Sequence, residues 1–261
     1  MMELENKSIL ITGGGRGLGR GIAVAAAREG ALVTILSRTV EELKTVEGLI
    51  HNEGPDCYSI VADVSDPHAV HHAVEQAIQH YKTIDVLVNN AAVIGPVRFM
   101  EDTDRVAWEK TLGINLNGAF FFCREVVPIM LEKGGGKIIS ISSGLGRMHF
   151  PRFCAYSVSK AGIIQLTRSL SSELKDGNIQ VNAVDPGVMD TAMQEEIRAQ
   201  GPSVLGEGVY QNFLAYKEQG NLRDPEEIAR LVVYLASSKS DLLSGHYGGI
   251  SDYAELGYKP A

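Results

Sequence analysis

"SILITGGGRGLGRGIAVAAAREG" spans residues 8–30, and its reading decides the fold. A short run, 8–11, apolar from Ile9 to Ile11, leads into a turn with glycines at 13, 14, 15, 17 and 19, and an alanine-rich stretch of helical period, Gly17–Glu29, follows. Glycine weakens both strands and helices, so its concentration at this junction marks a corner that no other residue makes. Either the chain turns too tightly for a side chain there, or something must approach the backbone closely.

The rest of the chain repeats the pattern. Short apolar runs read as buried strands at 8–11, 32–36, 58–61, 86–88, 137–142 and 179–184. Between them lie longer amphipathic segments such as Val40–Glu53 and Pro67–His80. Nearly continuous apolar strands alternating with helices predict an α/β doubly wound (Rossmann) parallel sheet, of about seven strands with helices on both faces. Ligands then bind at the carboxyl ends of the strands. No composition break separates a second domain, so residues 1–261 read as a single domain. One stretch, about 189–223, lacks regular pattern and carries "GPSVLGEG", which reads as a lid over the substrate.

Composition narrows the partners. The chain has 261 residues, 44% of them hydrophobic, enough for a full core. A net charge of −8 argues against nucleic acid or an anionic membrane as partner. No apolar run in the sequence approaches the ~20 residues of a membrane span. "MMELENK" does not resemble a signal peptide, and Cys57, Cys123 and Cys154 have no metal-ligand spacing. Three reduced thiols point to a cytoplasmic protein. His68 and His72 stand at i, i+4 with Glu75 nearby, but Val70, Val74 and Ile78 form the buried stripe there, so these histidines read as a solvated helix face and no metal site is expected.

Between a first strand and a first helix, the glycine turn gathers backbone N–H groups at a helix N-terminus, which is a phosphate site. Its spacing, Thr12-Gly13-x-x-x-Gly17-x-Gly19, together with later motifs resembles the short-chain dehydrogenase/reductase family, in its compact branch of about 250 residues, over nearly the whole chain. "ADV" at 62–64 resembles the family's adenine-side turn, which implies Asp63 at the adenine amine and Val64 against the ring. "NNAA" at 89–92 is similar to N-N-A-G, with Ala92 in place of glycine. Asn115 in "GINLNG" falls where the family has a catalytic Asn. Ser143 lies thirteen residues before Tyr156 of "YSVSK", which ends in Lys160, and "DPGVMDT" at 185–191 resembles the segment that holds the nicotinamide carboxamide. The resemblance implies catalysis by Asn115, Ser143, Tyr156 and Lys160. It implies a dinucleotide held by Gly13, Gly15, Arg16, Gly17, Leu18, Gly19, Ser37, Arg38, Thr39, Asp63, Val64, Asn89, Ala91, Tyr156, Lys160, Pro186, Gly187, Met189 and Thr191.

The chemistry suits these residue types. Tyr156 and Lys160, at i and i+4, share a helix face. An ammonium ~5 Å from a phenol, at an effective dielectric of ~20, is worth about 3 kcal/mol, so the expectation is a Tyr156 pKa about two units below its usual ~10. Tyr156 then serves as general acid/base while Ser143 holds the substrate oxygen. In the family, Lys160 also grips the nicotinamide ribose and Asn115 holds a proton-relaying water. The expected reaction interconverts a carbonyl and a secondary alcohol on a small molecule.

The second strand ends "VTILSRT", with Ser37 where an acidic residue would accept the ribose 2′-hydroxyl and Arg38 after it. With Arg16 in the glycine loop, the corner suits a 2′-phosphate, so NADP(H) is expected to be preferred over NAD(H). Arg147, His149 and Arg152 crowd the loop between Ser143 and Tyr156 and read as exposed or as greeting an acidic substrate. The C-terminus departs from the family, with Tyr253 and Ala254 where glycines are usual, which touches both subunit contact and substrate preference. The resemblance implies a homotetramer built on the helices around 104–131 and 155–174, and the apolar excess of the first fits an intersubunit face. Competing readings are a catalytically idle dinucleotide sensor or scaffold and, among enzymes, a 3-oxoacyl thioester reductase or a sugar/polyol dehydrogenase. A sugar-nucleotide epimerase needs a larger substrate domain than the chain leaves room for.

Overall fold

The protein is described by a computed structural model covering residues 2–52, 56–220 and 222–260. The expected Val40–Glu53 helix and the 189–223 lid each include residues outside that description, Glu53 and Asn221. Seven strands form one parallel sheet: β1 (Ser8–Thr12), β2 (Leu32–Ser37), β3 (Cys57–Val61), β4 (Val86–Asn89), β5 (Gly136–Ile141), β6 (Ile179–Val184) and β7 (Tyr247–Gly248). Their spatial order is 3-2-1-4-5-6-7, so the winding reverses between β1 and β4. The crevice at that reversal is where such a sheet binds ligands.

Strand alternation sorts the core into two layers. Ile9, Ile11, Val33 and Ile35 face α1 (Gly17–Arg28) and α10 (Pro225–Ala236). Leu10, Leu36, Ile60 and Leu87 face α3 (Pro67–Tyr81) and α5 (Gly118–Lys133). Because both faces are covered, the strands read as nearly continuous apolar runs rather than alternating ones. The helix α2 (Val40–His51) packs on the first layer through Leu43, Val46 and Ile50.

Between α4 (Arg105–Leu112) and α5 the helix does not end but widens into a π-turn at Gly113–Asn117, which carries Asn115. The continuous run Arg105–Lys133 is, by length and composition, apolar enough to cross a membrane, contrary to the expectation that no such stretch exists. Here α5 lies across the sheet, with Phe122, Val126 and Met130 buried against it. The sixth helix, α6 (Cys154–Glu173), brings Tyr156 and Lys160 to the sheet.

Two regions differ from the sequence reading. The stretch expected to be irregular is helical: α7 (Ala192–Ala199), α8 (Gly201–Leu205) and α9 (Glu207–Glu218). Gly201 and Gly206, at φ +71° and +79°, break these helices apart; α7 and α8 are too short to show a clear period, and α9 buries no residue and so carries no clear apolar stripe. At the C-terminus β7 has only two residues and α11 (Ile250–Glu255) follows at once, burying Tyr253, whose hydroxyl donates to the Ala183 carbonyl at 2.9 Å. Cys57, Cys123 and Cys154 are free thiols, and burial pushes those of Cys57 and Cys123 up to about 12.

Candidate active site

The turn after β1 and the end of β4 are locked together by one amide and one hydroxyl. Asn90 Nδ2 donates to the carbonyls of Thr12 (2.9 Å) and Gly13 (3.1 Å), while Thr12 Oγ1 accepts from the backbone N–H groups of Asn90 (3.0 Å) and Ala91 (3.1 Å). Gly13 sits at φ +66°, and a methyl on Gly19 would lie 2.2 Å from the Gly13 carbonyl oxygen. The glycines are there because the loop closes onto itself as well as toward a ligand. Arg16, the N-cap of α1, makes no side-chain cap, so the first amides of that helix point outward without a protein partner from that residue.

A cleft of about 390 Å³ runs from this turn along the strand ends. It is lined by Gly13, Gly15, Arg16, Gly17, Leu18, Gly19, Ser37, Arg38, Thr39, Asp63, Val64, Ala91, Tyr156, Lys160, Pro186, Met189 and Thr191, as the sequence anticipates. Two of the residues expected to hold the dinucleotide do not line it, and neither do Asn115 and Ser143, expected to be catalytic. Asn89 lies behind it, buried, with Nδ2 on Cys123 Sγ (3.4 Å) and Ser140 Oγ (3.5 Å), because adjacent strand residues face opposite ways and Asn90 takes the cleft side. Gly187 is exposed on a turn where its N–H donates to Asp185 Oδ1 at 3.0 Å. Asn90, Val93 and Glu42 line the cleft and were missed. For Asn90 the signal was the same alternation; for Glu42, one turn into α2, nothing local pointed inward.

At the far corner Arg38 Nη1 lies 3.5 Å from Asp63 Oδ2, and Arg16 Nη1 lies 3.6 Å from Glu42 Oε1. Burial raises the Asp63 carboxyl, but hydrogen bonds from Ser65 and the Arg38 charge outweigh it and hold the group below its usual value. Ser37 Oγ is tied into its own turn, 3.3 Å from the Thr39 N–H.

The other end of the cleft carries Tyr156 and Lys160, with Ser143 beside them. Tyr156 is buried, its hydroxyl hydrogen-bonded by Ser143. Ser143 Oγ also accepts from the Leu145 N–H at 3.2 Å, which fixes it at the start of a turn after β5. Lys160 is buried with Nζ 5.6 Å from the Tyr156 ring centre and 2.8 Å from the Ile141 carbonyl oxygen. Asn115 is fully engaged: Oδ1 accepts from Val93 N–H (2.8 Å), and Nδ2 donates to the Val93 carbonyl (2.9 Å) and Ser159 Oγ (3.1 Å). Thus Asn115 pins the β4 exit to α6 through its side chain.

The expected lowering of the Tyr156 pKa is reversed. Burial dominates and, with a push from Asp185, raises the phenol to about 12, against the lowering effect of Ser143. Lys160 cannot offset this, because burial lowers its own ammonium to about 8. Desolvation of both partners outweighs the Coulomb attraction that their spacing provides. The loop cations are also more constrained than the sequence suggests: Arg147 stacks on Tyr247 and Arg152 on Phe99, each 4.4 Å from the ring centre.

A family model described as short chain dehydrogenase matches residues 7–202. The chain belongs to the short-chain dehydrogenase family. It is 35% identical over 256 residues, 95% of this chain and 98% of the relative, to 3-oxoacyl-[acyl-carrier-protein] reductase FabG of Thermotoga maritima. Among solved structures it resembles levodione reductase at a TM-score of 0.88 and 28% identity, covering 98% of this chain and 100% of that one. It also resembles NAD+-bound xylitol dehydrogenase at 0.88 and 28%, covering 95% and 98%. As a short-chain dehydrogenase it is an NAD(P)-dependent oxidoreductase of the alcohol and carbonyl class. The residues present fit such a dinucleotide: a glycine loop that a methyl would obstruct, an uncapped helix N-terminus and a continuous cleft ending at Tyr156.

Proposed function

We propose that this protein reduces a ketone to a secondary alcohol, and runs the reverse oxidation, with NADP(H) preferred and Tyr156 as the general acid/base. The observation that carries the reading is the buried Tyr156–Ser143 pair with Lys160 beneath it. A bound nicotinamide dinucleotide supplies or accepts hydride at the substrate carbon. Tyr156, held protonated by burial, donates its proton to the substrate oxygen. Ser143 presents a hydroxyl to that oxygen as negative charge develops on it. Lys160 keeps a cation below the phenol, and Asn115 holds the floor on which both helices meet. An idle sensor has no need of this complete set.

The residues expected to hold the dinucleotide keep their roles here, with Asn90 in place of Asn89 at the cleft wall and Gly187 acting through its turn. Arg16 and Arg38 favour a 2′-phosphate. Their partners Glu42 and Asp63 form exposed ion pairs worth only about 0–1 kcal/mol, which a dianion displaces. Helices α7 to α9 act as a lid within one domain. Over Tyr156 the lid packs Ile197 and Leu205 with Ile94, Val97 and Phe153, an apolar cluster that suits a ketone carried on an apolar body better than a polyol. A 3-oxoacyl thioester, of the type in the name of the FabG relative, meets that description.

Val106, Phe120, Leu131 and Val158 are exposed along α4 to α6 and are assigned to contact with further copies in a cytoplasmic homotetramer. The test of function is NADPH oxidation with acetoacetyl-CoA, cyclohexanedione and xylulose. Tyr156→Phe should lower turnover on the best of these by at least about 10² with NADPH affinity kept. Near-parental turnover removes Tyr156 from the mechanism.

A further inference from the structure

We propose that Asp185 and Tyr247 are positioning residues for this reaction: together they tether the Ser143 turn to the C-terminal strand and fix a carboxylate beside the Tyr156–Ser143 pair. The proposal rests on the reading of Tyr156 as the acid/base. The Tyr247 hydroxyl lies 2.7 Å from the Ser143 carbonyl oxygen and 3.3 Å from Asp185 Oδ2. One phenolic proton cannot serve two acceptors equally, and the shorter distance gives it to the Ser143 carbonyl. Asp185 Oδ2 is therefore left with little neutralisation, while Oδ1 accepts from the Gly187 N–H at 3.0 Å. The carboxylate abuts the serine turn directly, since a methyl on Gly144 would lie 3.3 Å from Oδ2.

Both halves of the clamp are anchored. The Asp185 N–H donates to the Gly248 carbonyl at 2.8 Å, which carries the β6–β7 ladder one residue past β6. Arg147 stacks on the Tyr247 ring at 4.4 Å, with Nη2 3.4 Å from the Tyr247 carbonyl oxygen. Asp252 caps the following helix through the Gly249 N–H at 2.7 Å. The short C-terminal strand is thereby wired to the Ser143 turn.

The charged and titratable groups around the Tyr156 hydroxyl are Lys160 on its own helix, Asp185 after β6 and, beyond Asp185, Tyr247 on β7 and Arg147 on the serine turn; Glu196 on α7 lines the same cleft. Burial does most to keep the Tyr156 proton in place, and the Asp185 charge adds to it. The clamp thus adds to the hold on the Tyr156 proton, which the substrate oxygen must draw away during ketone reduction.

The test uses 13Cζ-tyrosine NMR of the full chain saturated with NADP+, with the Tyr156 signal assigned by its loss in Tyr156→Phe. Asp185→Asn keeps the shape and removes the charge. The Tyr156 midpoint should fall by about half a pH unit or more, a threefold rise in phenolate fraction at fixed pH. Tyr247→Phe should speed amide exchange over residues 142–147 by roughly fivefold or more. A folded, NADP+-binding Asp185→Asn protein whose midpoint stays within about 0.2 unit overturns the proposal. So does unchanged exchange in Tyr247→Phe. If Asp185→Asn does not fold, Asp185→Ser, which retains an acceptor for the Gly187 amide, carries the same comparison. Neither readout needs turnover, so a failure of the Tyr156 assignment, seen in the kinetics of Tyr156→Phe, remains separate from a failure of the clamp.

Discussion

Replacing Gly19 by alanine strikes the cofactor loop at its tightest point. The added methyl would lie 2.2 Å from the Gly13 carbonyl oxygen, 2.5 Å from Asn90 Nδ2 and 2.9 Å from the Gly13 carbonyl carbon. Ordinary contact begins roughly 1 Å farther out, so the Gly13 carbonyl and the Asn90 amide must both move. Those two groups hydrogen-bond each other at 3.1 Å, so one methyl disturbs the tie between β1 and β4 as well as the loop. Overpacking of this kind costs about 1–3 kcal/mol, and in a chain of this size each kcal/mol lowers Tm by roughly 2–4 °C. Losing one charge-assisted phosphate contact as the loop shifts costs a further ~1.5–3 kcal/mol of binding, or about 10- to 100-fold in NADPH affinity. Gly48→Ala is the control. Gly48 lies within α2, and a methyl there meets nothing within 4 Å. Alanine should raise stability there by ~0.5–1 kcal/mol through helix propensity alone. Urea denaturation and NADPH fluorescence titration read both variants. A Gly19→Ala protein with parental stability and affinity would refute the argument that the loop tolerates no side chain.

Three other outcomes follow from the same geometry. Ser37→Asp with Arg38→Leu should reverse a preference for NADP(H) over NAD(H) of at least about tenfold, roughly 1.4 kcal/mol, measured as kcat/KM with each cofactor; a parent that prefers NAD(H) sinks the assignment. Lys160 has a folded pKa of about 8 against its usual 10.5, so between those values the unfolded chain holds the extra proton and stability rises with pH. Lys160→Met should therefore gain most over the parent below pH 8, by up to about 3 kcal/mol before the loss of its bond to the Ile141 carbonyl. That advantage should shrink toward pH 10.5, and urea melts at pH 7 and 10 giving one constant difference would contradict this. Light scattering at micromolar concentration should give four copies, and a monomer would leave the apolar face of α4 to α6 without its assigned partner.

The sequence by itself determined the sheet and the place of its cleft. Apolar runs such as Val86–Val88 coincide with strands because strands buried on both faces carry few polar residues, and the glycine turn leads into a helix because free amides converge at a helix N-terminus. Spacing also placed Tyr156 and Lys160 on one helix face, since four residues make about one turn. Tertiary structure decided what depends on which way a side chain turns and how much water it keeps. It put Asn90 rather than Asn89 in the cleft and brought Glu42 to face Arg16. It raised the Tyr156 pKa where spacing alone lowered it, because desolvation is a property of everything packed around a group and not of its neighbours in the chain. It also joined Asp185 and Tyr247, 62 residues apart, at the Ser143 turn. Neither residue carries a local signal, because their meeting is made by two strands that pair only after the whole sheet has formed.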